Sequence, residues 1–369
     1  MKRWLLTLLL PACHLAGAGE ASIAFQLSTR YAPYVDRASK LELATIAENQ
    51  SSGWWQSPQA IKRRQSDLPG PLAGVHLALE AGHIGGDWAE LEARHFRISE
   101  RDYWVREGEL VLEVAQRAAA DLRRMGARVS LVRNSCHPLN PKTLQEYWAI
   151  AASEIPVPTE PSLAAQLAHA VGVRDRAIRK AFITGELIER ARLVNESIRP
   201  DALISLHINA APWPGPGQQL VDSDHAHALI FGSLMAAELS VPDQRTRLIV
   251  KMTNGSGSIE VVLGNAMGQA LAEATGLPAS EYSGDNAVRL QGGTAYLWAR
   301  NLLLLRLVDC PAVMLEPYIA NSKTSYPRIQ RALHARVHHQ PLLKDDLLIE
   351  YAAAVVDGVV RTYSGNLER

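Results

Sequence analysis

The segment Val75-His76-Leu77-Ala78-Leu79-Glu80-Ala81-Gly82-His83-Ile84-Gly85-Gly86-Asp87 places a mostly apolar run directly ahead of a glycine-rich turn that carries a histidine. An apolar run of this length bounded by glycines reads as a buried β-strand. Glycines at its end let the backbone turn tightly and come close to a ligand. His83 then stands where the strand runs out, and a histidine there can be structural or can face a crevice.

The rest of the chain repeats the theme. Arg128 to Arg133, Ala202 to His207, Ala228 to Phe231 and Ala312 to Glu316 read as further strands. Between them, Glu107 to Met125 is helical, with Leu110, Val114, Ala118 and Leu122 recurring every fourth residue and Gly126 as a stop. Val173 to Ile198, Ile259 to Thr275 and Asp346 to Tyr363 read as helices, the last with Leu348, Ala352, Val355 and Val359 on one face. Strands alternating with helices predict an α/β fold: one three-layer domain with a mostly parallel, helix-covered sheet of the phosphorylase/hydrolase kind. Pro156, Pro158 and Pro161 mark a broken, partly helical insertion at about residues 140–171, and long insertions of this sort often act as lids. Gly19 to Gly70 lacks clear periodicity and reads as an N-terminal extension with one short helix at Ser39 to Glu48.

Sheets of this type bind ligands outside the carboxyl ends of their strands. His83, His207 and Glu316 all fall at such ends. Burying the charge of Glu316 after an apolar run costs energy unless it is paired or works. Two histidines and a carboxylate form the protein ligand set of a catalytic zinc, and a further glutamate would shuttle the proton. Glu107, Glu109 and Glu113 all compete for the carboxylate role, and each would also suit the first turns of a helix. Asn209, two residues past His207, can hold a loop through backbone groups. His225 and His227 invite a ligand reading or simple packing at a strand edge. Arg190 suits either a substrate anion or a buried ion pair.

Together these residues resemble the zinc-dependent N-acetylmuramoyl-L-alanine amidases of bacterial cell walls, through ordered motifs spread from about Val75 to Tyr363. The opening strand and glycine-rich histidine turn match Leu77 to Gly86. The helix-leading glutamate followed by Leu-x-x-Ala matches Glu107 with Leu112 and Ala115, and this match is what selects Glu107 over Glu109. A strand ending in arginine matches Val129 to Arg133. Arginine, asparagine and then Ser-x-His-x-Asn match Arg190, Asn195 and Ser205 to Asn209. A late proline, apolar strand and glutamate match Pro311 to Glu316, with Asn321 nearby. The chain departs from the family pattern at Glu80-Ala81, where the family has Asp-Pro, and at Pro317-Tyr318 after the late glutamate.

The resemblance implies one zinc per chain on His83, Glu107 and His207, with Glu316 as the base. Arg190, Asn209 and His227 would lie near the substrate, and the bond cut would be the amide between N-acetylmuramic acid and L-alanine in peptidoglycan. Two rival readings are a zinc peptidase of the carboxypeptidase kind and a wall-binding protein with weakened catalysis. Carboxypeptidases place a zinc glutamate three residues after the first histidine, a position held here by Gly86.

Composition fits an exported enzyme. The 369 residues are 47% hydrophobic, with 38 basic and 38 acidic residues and no net charge, so no nucleic-acid footprint is present. Lys2 and Arg3, the apolar run Trp4 to Leu10 and Ala16-Gly17-Ala18 predict a signal peptide over residues 1–18 and a periplasmic location. Leu10-Pro11-Ala12-Cys13 also resembles a lipobox, which would anchor the chain to a membrane through Cys13. An extension over 19–72 and a catalytic domain over 73–365 complete the plan. Cys136 and Cys310 could pair outside the cytoplasm, although a buried thiol at Cys310 is the simpler reading.

Overall fold

The computed structural model describes residues 23–46, 53–65, 69–159 and 162–364. The predicted signal segment and Cys13 lie outside the described residues. A seven-stranded sheet forms the centre, in the order β4-β1-β5-β9-β6-β8-β7. Its strands are β1 (His76–Ala81), β4 (Arg128–Leu131), β5 (Ala202–Leu206), β6 (Ala228–Phe231), β7 (Ala287–Arg289), β8 (Leu297–Arg300) and β9 (Ala312–Leu315). β4, β1, β5 and β9 run parallel; β6 and β8 are parallel to each other, and β6 meets β9 antiparallel. A separate two-stranded ribbon, β2 (His95–Phe96) with β3 (Val105–Arg106), stands ahead of the Glu107 helix. Among the described residues, no helix is long and apolar enough to cross a membrane.

Side chains alternate across each strand, and the sheet separates them into two apolar layers. Leu77, Leu79, Ile204, Leu206, Val313 and Leu315 face the helices Glu107–Arg124, Ser256–Thr275 and Leu347–Tyr363. Ala78, Leu203, Leu229, Phe231 and Met314 face the opposite layer, which includes Ala191, Val194, Leu248 and Leu304. Glu80 shares the second face because it is two residues from Ala78. There it meets Ser205, its neighbour in register on β5, and Arg190 from the covering helix.

The segment predicted as an N-terminal extension packs into this second layer. Leu27 and Tyr31 are fully buried, and Arg30 donates to the Phe231 and Gly257 carbonyls and pairs with buried Glu260, which also pairs with Lys251. Its buried residues lie on one short helical stretch, residues 23–31, too brief to declare a period in the sequence. The predicted helix there is present as Arg37–Ile46.

The insertion is a helical hairpin. Leu144–Glu154 is capped by Thr143, whose side chain accepts from the Glu146 N–H while Glu146 returns the bond. The second helix begins at Leu163, not Val173, and runs through two π-helical turns, Lys180–Thr184 and Leu193–Ile198, to the start of β5. Tyr147, Leu144 and Ile178 pack with Ile84, Trp88 and Phe182. The hairpin therefore buttresses the turn that carries His83. Among the described residues, none of those lining the cleft beside His83 comes from residues 140–171. Cys136 and Cys310 are both free.

Candidate metal centre

β1, β5 and β9 are parallel and adjacent, so their carboxyl ends lie on one edge. That edge brings His83, His207 and Glu316 together around an open cleft of about 250 Å³. Glu107 enters from the side, at the first position of its helix, where β3 ends. Its carboxylate bridges the two histidines: Oε2 is 3.2 Å from His83 Nε2, and Oε1 is 2.9 Å from His207 Nδ1. One donor atom from each of the three residues falls within 4.8 Å of the others.

The two other acidic candidates are committed elsewhere. Glu109 accepts the Gly86 N–H at 3.0 Å and pairs with Arg106, while Glu113 pairs with Arg117 and Arg336. Gly86, the carboxypeptidase position, has no side chain to offer.

Close backbone approach explains the glycines. A Cβ on Gly82 would sit 2.2 Å from His207 Cε1, and one on Gly108 would sit 2.5 Å from the Gly85 nitrogen. His83 itself adopts a left-handed backbone, φ 56°, which swings its ring back over the strand end. Arg133 holds this turn from below. It is buried and donates to the carbonyls of Ala81, Gly82 and Gly108 at 2.7, 2.9 and 2.5 Å, tying the His83 turn to the head of the Glu107 helix. Burial, then the charge of Arg190, lowers the Arg133 guanidinium to about 10.

Arg190 takes an ion-pair role at the wall of the cleft. It is buried between Glu80 and Glu186 and donates to the carbonyls of Ala81 and His83 at 3.0 and 2.7 Å. These partners engage every face of the guanidinium, which leaves no donor for a substrate. Asn209 likewise serves its own loop: its side chain accepts the Ala210 N–H, and its carbonyl accepts the Ala320 N–H.

His227 is fully buried and reaches the cleft only through Glu316. The antiparallel step between β9 and β6 sets Ala228 opposite Leu315, so the residue before β6 meets the residue after β9. His227 Nε2 lies 2.9 Å from Glu316 Oε2 and 3.0 Å from the Tyr282 hydroxyl. Nδ1 has no partner among the described residues, so Nε2 is the nitrogen that meets Glu316. Burial pushes the Glu316 carboxyl up, but the His227 bond and the charges of His227, His207 and Arg300 outweigh it and hold the group at about 2.

The same balance acts on the other members. Burial opposes ionisation of Glu107, yet His83 and His207 hold its carboxyl below the usual range. Burial opposes protonation of His207, yet Glu107 raises its imidazole above the usual value.

Two cleft residues carry no signal in the sequence. Glu92 sits on a short turn after the helix Trp88–Leu91; its Oε1 is 3.4 Å from His83 Nδ1, and its Oε2 accepts the Ile84 N–H at 2.7 Å. Arg94, two residues on, lines the cleft beside it. Neither belongs to a periodic element or a motif, and their role depends on a turn that only the folded chain defines.

The donor chemistry fits zinc. Imidazole nitrogens with one carboxylate oxygen are borderline ligands suited to that ion. A carboxylate on the outward nitrogen of a ligating histidine, as Glu92 provides for His83, is the usual outer support of such a site.

No protein-family model and no curated protein sequence matches this chain. Solved structures do match, among them several titled as amidases. The apo N-acetylmuramyl-L-alanine amidase Ami1 from Mycobacterium abscessus is 16% identical over 79% of this chain and 100% of its own, with a TM-score of 0.42. The CwlD amidase from Clostridioides difficile, solved in complex with the GerS lipoprotein, is 11% identical over 78% and 96%, with a TM-score of 0.42. The catalytic domain of CwlV from Bacillus (Paenibacillus) polymyxa is 15% identical over 77% and 96%, with a TM-score of 0.39.

Proposed function

We propose that this protein is a zinc-dependent N-acetylmuramoyl-L-alanine amidase, exported to act on peptidoglycan. The observation that carries the reading is the convergence of His83, Glu107 and His207 within 4.8 Å, with Glu316 lining the same cleft. The ordered motifs from Leu77 to Asn321 add the choice of reaction.

Zinc bound by these three side chains would supply a Lewis acid for the scissile carbonyl and lower the pKa of the attacking water. Glu316, ionised at neutral pH, accepts the proton from that water and passes it to the departing alanine nitrogen. His227 orients Glu316 by donating to one of its oxygens, which leaves the other for the water. Glu92 fixes the His83 ring through its second nitrogen. Arg133 and Arg190 hold the carbonyls of the His83 turn, so the ligands are set before substrate arrives. No covalent enzyme intermediate is needed. Murein lies outside the cytoplasmic membrane, so the signal-like segment over residues 1–18 fits the same reading.

The test is digestion of purified murein by the zinc-loaded protein, with products read by mass spectrometry. Intact stem peptides beginning with L-alanine are expected. Glu316→Ala should keep its zinc and lose hydrolysis by at least about 100-fold. Full activity in that variant, or peptides shortened from their carboxyl ends, would overturn the reading.

A further inference from the structure

We propose that Arg94 binds a carboxylate of the substrate and thereby selects stem peptides whose second residue keeps its α-carboxylate free. The proposal rests on the amidase reading above. It begins from a contrast among arginines. Arg190 and Arg133 are buried and spent on carboxylates and carbonyls. Arg106 pairs with Glu109, and Arg300 lies over the Tyr282 ring. Arg94 is exposed, and among the described residues its side chain makes no ion pair or hydrogen bond.

Its backbone, by contrast, is fixed. The Arg94 N–H donates to the Ala89 carbonyl at 2.8 Å, and its carbonyl accepts the Glu107 N–H at 3.3 Å. Ala93 before it turns through a left-handed conformation, φ 55°, and His95 after it pairs with Arg106 in the β2–β3 ribbon. Glu92 and Arg94 are thereby both delivered to the cleft. A fixed backbone with an open guanidinium presents bidentate donors to the cleft.

Its place in the cleft defines the ligand. Arg94 lines the hollow that holds His83, His207 and Glu316, and also a second hollow of about 350 Å³ that holds Glu107, Phe96 and Trp213. It therefore sits at the divide, beside the bond to be cut, where carboxylates of the protein repel an anion unless a cation receives it. On the glycan side the lactyl carboxyl is already consumed in the scissile amide. The nearest free carboxylate is on the peptide side, on the residue that follows L-alanine. In D-isoglutamate it is charged, and in D-isoglutamine it is an amide.

The experiment compares muramyl-L-alanyl-D-isoglutamate with muramyl-L-alanyl-D-isoglutamine, with the γ-carboxyl of every dipeptide blocked as its methylamide, using wild type, Arg94→Gln and Arg94→Lys at equal zinc content. Wild type should favour the acid by about tenfold or more in kcat/KM, the worth of a charge-assisted bond. Arg94→Gln should abolish the preference, mostly through KM, and Arg94→Lys should keep part of it. Calorimetry with free L-alanyl-D-isoglutamate and L-alanyl-D-isoglutamine should show that Arg94→Gln weakens only the acid. A third substrate adds meso-diaminopimelate to the isoglutamine form. If it alone regains the preference, the carboxylate belongs to the third residue and the proposal fails. It fails too if wild type ignores amidation, or if Arg94→Gln slows both dipeptides equally. No cleavage of any substrate by wild type would instead remove the amidase reading and this proposal with it.

Discussion

Gly82→Ala is the sharpest probe of the proposed metal centre, because it adds one methyl group aimed at one proposed ligand. That Cβ would lie 2.2 Å from Cε1, 2.4 Å from Nε2 and 2.6 Å from Nδ1 of His207, whereas ordinary contact begins at 3.4 Å. The ring must retreat by about 1.2 Å, taking 2.2 from 3.4. Gly82 is not in the left-handed region, so alanine brings no backbone strain there, and it restricts the unfolded chain slightly in favour of folding. The ring lines the cleft, so the retreat is a side-chain movement and not a backbone one. A displacement near 1 Å costs on the order of 100-fold in a positioned site. We expect zinc affinity to fall by about 10- to 100-fold, measured by competition with a chromogenic chelator. The melting temperature of the metal-free protein should change little, a shift equivalent to about 1 kcal/mol or less. Wild-type zinc affinity in a correctly folded Gly82→Ala protein would refute the assignment of His207 as a ligand.

Three further predictions separate the supporting residues. Glu92→Ala should weaken zinc binding by about 10- to 100-fold while leaving the three ligands in place; unchanged affinity would show that His83 needs no outer partner. His227→Ala removes the strongest influence holding the Glu316 carboxyl at about 2, so the acid limb of the pH–rate profile should move upward. Loss of one charge-assisted bond corresponds to roughly 1–2 pH units, and a limb that stays put would deny His227 its positioning role. For stability, Glu260 is buried between Arg30 and Lys251; burial raises its carboxyl, but those cations outweigh it and hold the group below its ordinary 4.5. A folded pKa below the unfolded one adds stability above about 4.5 that is lost as pH falls through the depressed value. Wild type should therefore weaken in acid, and Glu260→Gln should be destabilised by about 3–5 kcal/mol at pH 7 with a flatter acid profile, read by urea denaturation. Equal slopes would contradict it.

The fold was legible wherever burial on both faces wrote a continuous apolar run, as in β1, β5, β6 and β9, or where a helix kept one apolar stripe, as in Leu347–Tyr363. Three of the four proposed site residues followed from strand ends alone. Glu107 did not, because Glu109 and Glu113 look the same until the Gly82 turn and the helix head are brought together in space. β7 and β8 escaped notice, β7 because Ala287–Arg289 is a three-residue edge strand with an exposed arginine. The predicted Val173 start of the long helix fell late because Leu163, Leu167 and Val171 are exposed and give it no buried stripe there. Arg190 could be read two ways from sequence, and only its register against Glu80 decides between them.

The groups gathered at this edge of the sheet also have an electrical consequence. Glu80, Glu92, Glu107, Glu186 and Glu316 are five carboxylates set against four guanidiniums, those of Arg94, Arg133, Arg190 and Arg300. In formal charges, five against four, the edge keeps one negative unit. Much of it lies in poorly hydrated protein, where it cannot be spread into solvent. The edge therefore draws in a cation before ligand geometry begins to choose among the ions.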